Sequence, residues 1–395
     1  MDMLLKLAIV VPVGCLAGRL AKTLKLSNIF GFLIAGIILG PSCSKLLSTQ
    51  DLTSLSIIAE IAVAILAFKI GSEFVVRDMK KLGTSFMIIT FAEVFGTVLV
   101  VFATMFFLFQ QDFVFSMVMA SIAAATAPAA AIMVMRQYRA DGPVTRTLLP
   151  VTALDGVLGV VLFGIMISIT RVVTLGTQIS PWQAVGRPLI EIFGSLALGA
   201  VLGMALTFFG QKARDSDELL VITLAAILAS TAVATALTLS PLLTNIMMGA
   251  VLVNLTQNSN RIFFGLNNFI PPVYLLFFTF AGASLDLRIV FQIGFLGLGY
   301  IVARAFGKIL GAWVGSLGVR AETAVRKHLG IALLPQGGFA IALAMVVRQH
   351  QPDISMAVIA IITGSVLLYE IVGPIVAKTA IQKAGEIRGM GSSLR

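Results

Sequence analysis

PVTALDGVLGVVLFGIM, residues 150–166, carries a single charge, Asp155. The nearest charged residues are Arg146 and Arg171, and the 24 residues between them are long enough to cross a hydrocarbon layer as a helix. Asp155 stands nine residues after Arg146, which places it about 13 Å into such a helix, close to the middle of the layer. Burying a carboxylate there costs at least about 2.5 kcal/mol, a cost that a bound proton or cation offsets. A site that takes either ion is the minimum equipment for exchange. The alternative reading is a structural carboxylate paired with a neighbouring helix.

The rest of the chain supports a membrane setting. Of 395 residues, 58% are hydrophobic and 12% charged, and the mean hydropathy is +1.02. A water-soluble fold cannot cover that much apolar surface, whereas repeated apolar runs of about 20 residues suit an all-α membrane protein. The net charge of +10 is spread over many loops, the pattern of cytoplasmic loops rather than of a nucleic-acid-binding patch. Cys15 and Cys43 offer neither a disulfide framework nor metal-ligand spacing. The opening MDMLLKLAIV reads as the start of a first span, not as a removable leader. No HExxH, GxSxG or paired catalytic carboxylate is present, so no enzyme activity and no cofactor are expected.

Hydropathy divides the chain into thirteen expected spans: 4–21, 28–44, 53–72, 85–109, 113–135, 147–170, 182–210, 217–238, 241–255, 268–285, 289–317, 323–347 and 354–382. With the N-terminus outside, the inward loops and the tail 383–395 hold 18 basic residues and the outward side six. That bias favours an outside N-terminus and a cytoplasmic C-terminus.

The sequence also repeats. LKLSNIFGFLIAGIIL (24–39) resembles LTLSPLLTNIMMGAVL (237–252), and MVMRQYRAD (133–141) resembles MVVRQHQPD (345–353). GSEFVVRDMKKLG (71–83) matches GASLDLRIVFQIG (282–294) more weakly at a similar offset. The offset spans seven helices, an odd number, so two six-helix repeats of opposite topology are expected. The first covers 1–170 and the second 217–382, joined by a linker helix at 182–210, and together they form one transporter domain over 1–382.

Two spans carry helix breakers at nearly corresponding places. AATAPAAAIMVM (124–135) puts Pro128 inside span 5, and LLPQGGFAIALA (333–344) puts Pro335 and a Gly pair inside span 12. Carbonyls freed by Pro128, with the Thr126 hydroxyl, are candidate cation ligands, although an ordinary kink is the alternative. Gln336 is placed to hydrogen-bond within the second break. ARAFGKILGAW (303–313) carries Arg304 and Lys308 four residues apart on one helix face, deep in span 11. Two buried cations require anionic partners, and Asp155 is the obvious candidate for one. Glu60, Glu93, Glu191 and Glu370 also fall in apolar runs, as does Lys69, and one or two of the glutamates are expected to pair with Arg304 or Lys69. His328 and His350 lie near span ends, where interfacial positions are expected.

LSNIFGFLIAGIILGPS, AEIAVAILAFKIGSEF, TAPAAAIMVM, the Asp of span 6, ARAFGKILGAW and LLPQGGFAIAL follow one another in the order found in monovalent cation:proton antiporters. The resemblance covers nearly the whole chain and is nearest to the Kef-type and sodium/proton exchanger branch. It implies a sodium/proton antiporter-like fold in which crossed, broken spans 5 and 12 form a core domain beside a dimerisation domain. It further implies a homodimer and an elevator-like alternating-access movement. Asp155 falls in the ion-binding carboxylate motif, Thr126 in the unwound part of span 5, and Lys308 on the buried lysine of span 11. One departure stands out: electrogenic members carry two adjacent Asp, and here the motif reads Leu154–Asp155–Gly156, with one carboxylate in either alignment. One-for-one electroneutral exchange is the simpler expectation. The chain lacks a GxGxxG and a βαβ pattern, so the nucleotide-binding regulatory domain of longer Kef-type proteins is not expected.

These readings converge on a bacterial-type inner-membrane antiporter that exchanges Na+ or K+ for H+ at Asp155. A sodium-coupled organic-anion symporter on a related scaffold, with Arg304 and Lys308 binding substrate, and a non-transporting sensor remain as alternatives.

Overall fold

The computed structural model describes residues 3–24, 26–77, 84–126, 135, 140–174, 181–256, 259–288 and 293–387. In chain order the helices are α1 (Met3–Thr23), α2 (Asn28–Leu39), α3 (Thr49–Ser54), α4 (Ser56–Gly71) and α5 (Ser85–Ala103, continued by a π turn at Thr104–Leu108). There follow α6 (Phe113–Ala124), α7 (Pro143–Thr174), α8 (Pro181–Gly210), α9 (Ser216–Ala236) and α10 (Pro241–Leu255). The last are α11 (Ser259–Ala283), α12 (Gly294–Gly318), α13 (Thr323–Ala332), α14 (Gly338–His350) and α15 (Pro352–Lys383). Among the described residues every regular element is helical.

Eight of these helices are long and apolar enough to cross a membrane: α1, α5, α7, α8, α9, α11, α12 and α15. The other five expected spans are helical but short. Helices α2, α6 and α10 have 12, 12 and 15 residues, and α4 has 16. The twelfth is divided into α13 and α14, of 10 and 13 residues. The reasons are local. The Ser27 hydroxyl caps α2 by accepting from Phe30 N at 3.3 Å, and Ser240 caps α10 with Pro241 in its first turn. The Pro335–Gly337–Gly338 run leaves residues 334–337 outside any helix.

The chain divides into two compact units, one of Met1–Asp78 with Val160–Asp286 and one of Met79–Gly159 with Leu287–Arg395. Each draws on both halves of the sequence.

In the first unit, helices approach until their backbones touch. A Cβ on Gly36 of α2 would overlap the Thr279 carbonyl of α11, and one on Gly282 of α11 would overlap the Leu33 carbonyl. The contact of α10 with α4 has the same construction: Gly249 lies on the Phe68 carbonyl and Gly71 on that of Ile246. Gly36 aligns with Gly249, and Gly71 with Gly282, in the internal sequence matches. Without a hydrophobic force between helices in lipid, such small-residue contacts supply the packing.

In the second unit, α12 presents Gly307, Gly311 and Gly315 at four-residue spacing to α5. A Cβ on these would lie 2.8 Å from Thr97 Cα, 2.7 Å from Glu93 Cα and 2.8 Å from Ile89 Cα, respectively. The start of α7 is held by the far end of the chain. Glu386, 4% exposed, accepts hydrogen bonds from Val144 N at 2.6 Å and Thr145 N at 2.8 Å. A carboxylate on free N–H groups at a helix N-terminus is favourable both as a cap and against the helix dipole.

Candidate ion-binding site

The site lies in the second unit and is built from two helix breaks and one helix face. Helix α6 stops at Ala124, and Ala125 turns to extended backbone at φ −63°, ψ 126°. The last carbonyls of α6 therefore lack helical partners. Two cations from α12 take them up. Arg304 donates from Nε to Ala123 O at 3.1 Å and from Nη2 to Ala125 O at 3.0 Å. Lys308 donates to Ala124 O, between them, at 2.7 Å. Arg304 also donates from Nη1 to Leu334 O, in the second break, at 2.7 Å. One guanidinium thus ties both helix breaks to α12, and its Cζ lies 4.7 Å from the Tyr369 ring centre of α15.

Around Lys308 three side chains converge. Its ammonium lies 2.6 Å from Glu93 Oε1 of α5, 2.6 Å from Thr126 Oγ1 and 3.0 Å from Asp155 Oδ2 of α7. The Thr126 hydroxyl accepts from Lys308 and donates to Asp155 Oδ2. Glu93, Asp155, Arg304 and Lys308 are all 0% exposed, and Thr126 is 3% exposed. Two carboxylates and two cations balance, as burial in lipid requires. Asp155 Oδ1 and Glu93 Oε2 are buried without a hydrogen-bond partner among the described residues. An orphaned carboxylate oxygen beside a junction of loosened helix ends suits a hard cation, which takes oxygen ligands.

Asp155, Thr126, Lys308 and Glu93 come together, and Arg304 lies one turn from Lys308. Pro128 lies outside the described residues. Of the two cations expected beside Asp155, Lys308 is the one that contacts it, while Arg304 donates from its three nitrogens to backbone carbonyls. Likewise Glu93 meets Lys308 rather than Arg304 or Lys69. Lys69, on α4 of the first unit, lies in the field of Glu73 one turn on. Glu60 is an exposed α4 residue, and Glu191 of α8 accepts from Ser168 at 2.8 Å. Glu370 is buried on α15. In the second break, Gln336 Nε2 donates to Tyr300 Oη at 3.1 Å and its Oε1 accepts from Ser365 at 2.9 Å. Pro335 packs against Gly373, where a Cβ would lie 3.1 Å from it. Tyr300 and Ser365 escaped the sequence reading, although Tyr300, Arg304 and Lys308 share one helix face at four-residue spacing.

A cavity of about 290 Å³ in the second unit is lined by Ser85, Phe86, Arg146, Thr147, Pro150 and Ala321, among others. Pro150 precedes Asp155 by five residues, about 7.5 Å along α7.

A multi-pass helical membrane fold that holds a buried carboxylate and its lysine beside a helix end suits an ion carrier, and the family match makes the class that of cation:proton antiporters. The chain belongs to the sodium/hydrogen exchanger family, whose transmembrane family model matches residues 7–383. Among solved structures it is similar to the sodium proton antiporter MjNhaP1 of Methanocaldococcus jannaschii at pH 8, with TM-score 0.81 and 16% identity over 97% of this chain and 99% of that one. An electron-microscopy structure of the same antiporter gives TM-score 0.76 at 16% identity, covering 97% and 98%. At that identity the likeness is one of fold. No curated protein matches the chain by sequence.

Proposed function

We propose that this antiporter exchanges Na+ or K+ for H+ one for one, with Asp155 as the group that binds either ion. One observation carries the reading: Asp155 is fully buried, with Oδ2 held by Thr126 and Lys308 and Oδ1 free of hydrogen bonds among the described residues. A proton on Asp155 neutralises it. A partly dehydrated cation does the same and gains the Thr126 hydroxyl as a further oxygen ligand. Lys308 stabilises the carboxylate while neither ion is bound, and a cation arriving at Asp155 repels it. The cavity beside Arg146 and Pro150 supports access from the side where the basic loops gather, which charge bias makes the cytoplasm.

The site is made to face one side at a time by an elevator-like alternating-access movement of a core domain beside a dimerisation domain. We infer a setting in the cell inner membrane as a homodimer, with the N-terminus outside and the C-terminus cytoplasmic, from the charge bias of the loops and the family likeness. The organic-anion alternative loses its anchors, because Arg304 is engaged by carbonyls and Lys308 by carboxylates.

The test is purified protein in liposomes carrying a pH-sensitive dye. Addition of Na+ or K+ is expected to collapse an imposed pH gradient, and Asp155→Asn to abolish the response. Full exchange in that variant, or none with any alkali ion in the wild type, defeats the proposal.

A further inference from the structure

Lys308 is held by two carboxylates, and the closer is not the one expected to carry the transported ion. Its ammonium lies 2.6 Å from Glu93 Oε1 and 3.0 Å from Asp155 Oδ2. Glu93 comes from α5, and the glycine stripe of α12 fixes it there by backbone contact. The Thr97 hydroxyl also donates to Glu93 Oε1, at 3.2 Å. We propose that Glu93 is the permanent counter-ion of Lys308, keeping the ammonium charged throughout exchange and setting how strongly it competes with the cation for Asp155. The inference rests on Asp155 being the exchange site.

The argument is one of charge in a medium of low dielectric constant. Were Asp155 the sole anion near Lys308, a cation bound to Asp155 would leave the ammonium buried and uncompensated. It would then either give up its proton or expel the cation. With Glu93 present, Lys308 keeps an anionic partner when Asp155 takes up the cation. The sum over Glu93, Asp155, Lys308 and the exchanged ion is then zero in both loaded states. The cation-loaded state has Glu93 and Asp155 ionised, Lys308 protonated and one bound cation. The proton-loaded state has Glu93 ionised, Lys308 protonated and Asp155 neutral. They differ by one cation for one proton, and Arg304, bound to carbonyls, is constant in both. Glu93 is therefore a positioning residue: it acts on the ion through Lys308.

Charge-neutralising variants test this, because a purely structural role would not give effects of opposite sign. In liposomes at one fixed pH, Glu93→Gln is expected to raise the cation KM about tenfold, since Lys308 is left to Asp155 alone. Lys308→Gln is expected to lower it, two carboxylates then facing the cation. The double variant restores the net charge and is expected to exchange with a KM within about threefold of the wild type. A folded double variant without exchange would show that Lys308 carries the proton and would overturn the proposal, as would an unchanged KM in Glu93→Gln. Should the neutral variants not fold, Lys308→Arg decides. Arginine cannot release a proton, so retained exchange supports a permanently charged partner, and a folded but inactive protein refutes it. Failure of the wild type to exchange any alkali ion would instead remove the exchange function itself.

Discussion

The backbone of Gly311 on α12 touches the backbone of Glu93 on α5: a Cβ on the glycine would lie 2.7 Å from Glu93 Cα. That approach carries the glutamate to 2.6 Å from Lys308, three residues earlier on the same helix. Gly311→Ala is expected to push the helices apart and cost about 1–3 kcal/mol, with a loss of exchange larger than the loss of folded protein. Gly294→Ala, where a Cβ meets nothing within 4 Å, is the control and should change neither. Thermal melting in detergent and exchange in liposomes read the two effects separately.

Arg304 bonds to carbonyls at both helix breaks through three nitrogens. Arg304→Lys keeps the charge and loses the fork, and one ammonium cannot reach Ala123, Ala125 and Leu334 together. The expected cost is about 3 kcal/mol or more, from carbonyls left buried without donors. A melting temperature equal to that of the wild type would show that the breaks hold without it.

Glu386 sits beyond the last helix and still closes the first turn of α7, the helix that carries Asp155. Glu386→Ala is expected to cost about 1–2 kcal/mol, the value of an N-terminal cap with a helix-dipole contribution. Gly142→Ala should behave similarly, because a Cβ there would overlap the Glu386 side chain. Hydrogen exchange at the amides of Val144 and Thr145 should rise in both variants.

At the loop helix α3, the hydrogen bond from Lys6 and those from Ser48 hold the Asp51 carboxyl down to about 2, from an ordinary 3.8. A depressed folded-state value stabilises the fold fully above the unfolded value, and that contribution disappears as pH falls through the folded one. Between about pH 4 and pH 2, the wild type is expected to lose melting temperature faster than Asp51→Asn. Parallel curves would show that the Lys6 contact contributes nothing.

The helices were legible because lipid demands long apolar runs, and each of the thirteen expected stretches contains helix. Their lengths were less so. Hydropathy continues through Ala125 and Leu334, where the backbone leaves the helix, since breaks in a membrane helix stay apolar in sequence and differ only in where their carbonyls bond. Asp155 and Lys308 were visible as charges with no business in a hydrophobic run. Their arrangement was not. Arg304 and Lys308 read as interchangeable cations on one face, yet the first serves backbone and the second serves carboxylates.

By itself, then, the sequence determined that this is a helical membrane protein with a buried acid and two interrupted spans, because the cost of charge and of unbonded backbone in lipid is written residue by residue. Only the tertiary structure decided which acid neighbours which base. Glu93 and Lys308 are 215 residues apart along the chain, and what joins them is the close fit of two glycine-lined helix backbones, a property of surfaces in contact that no local pattern encodes.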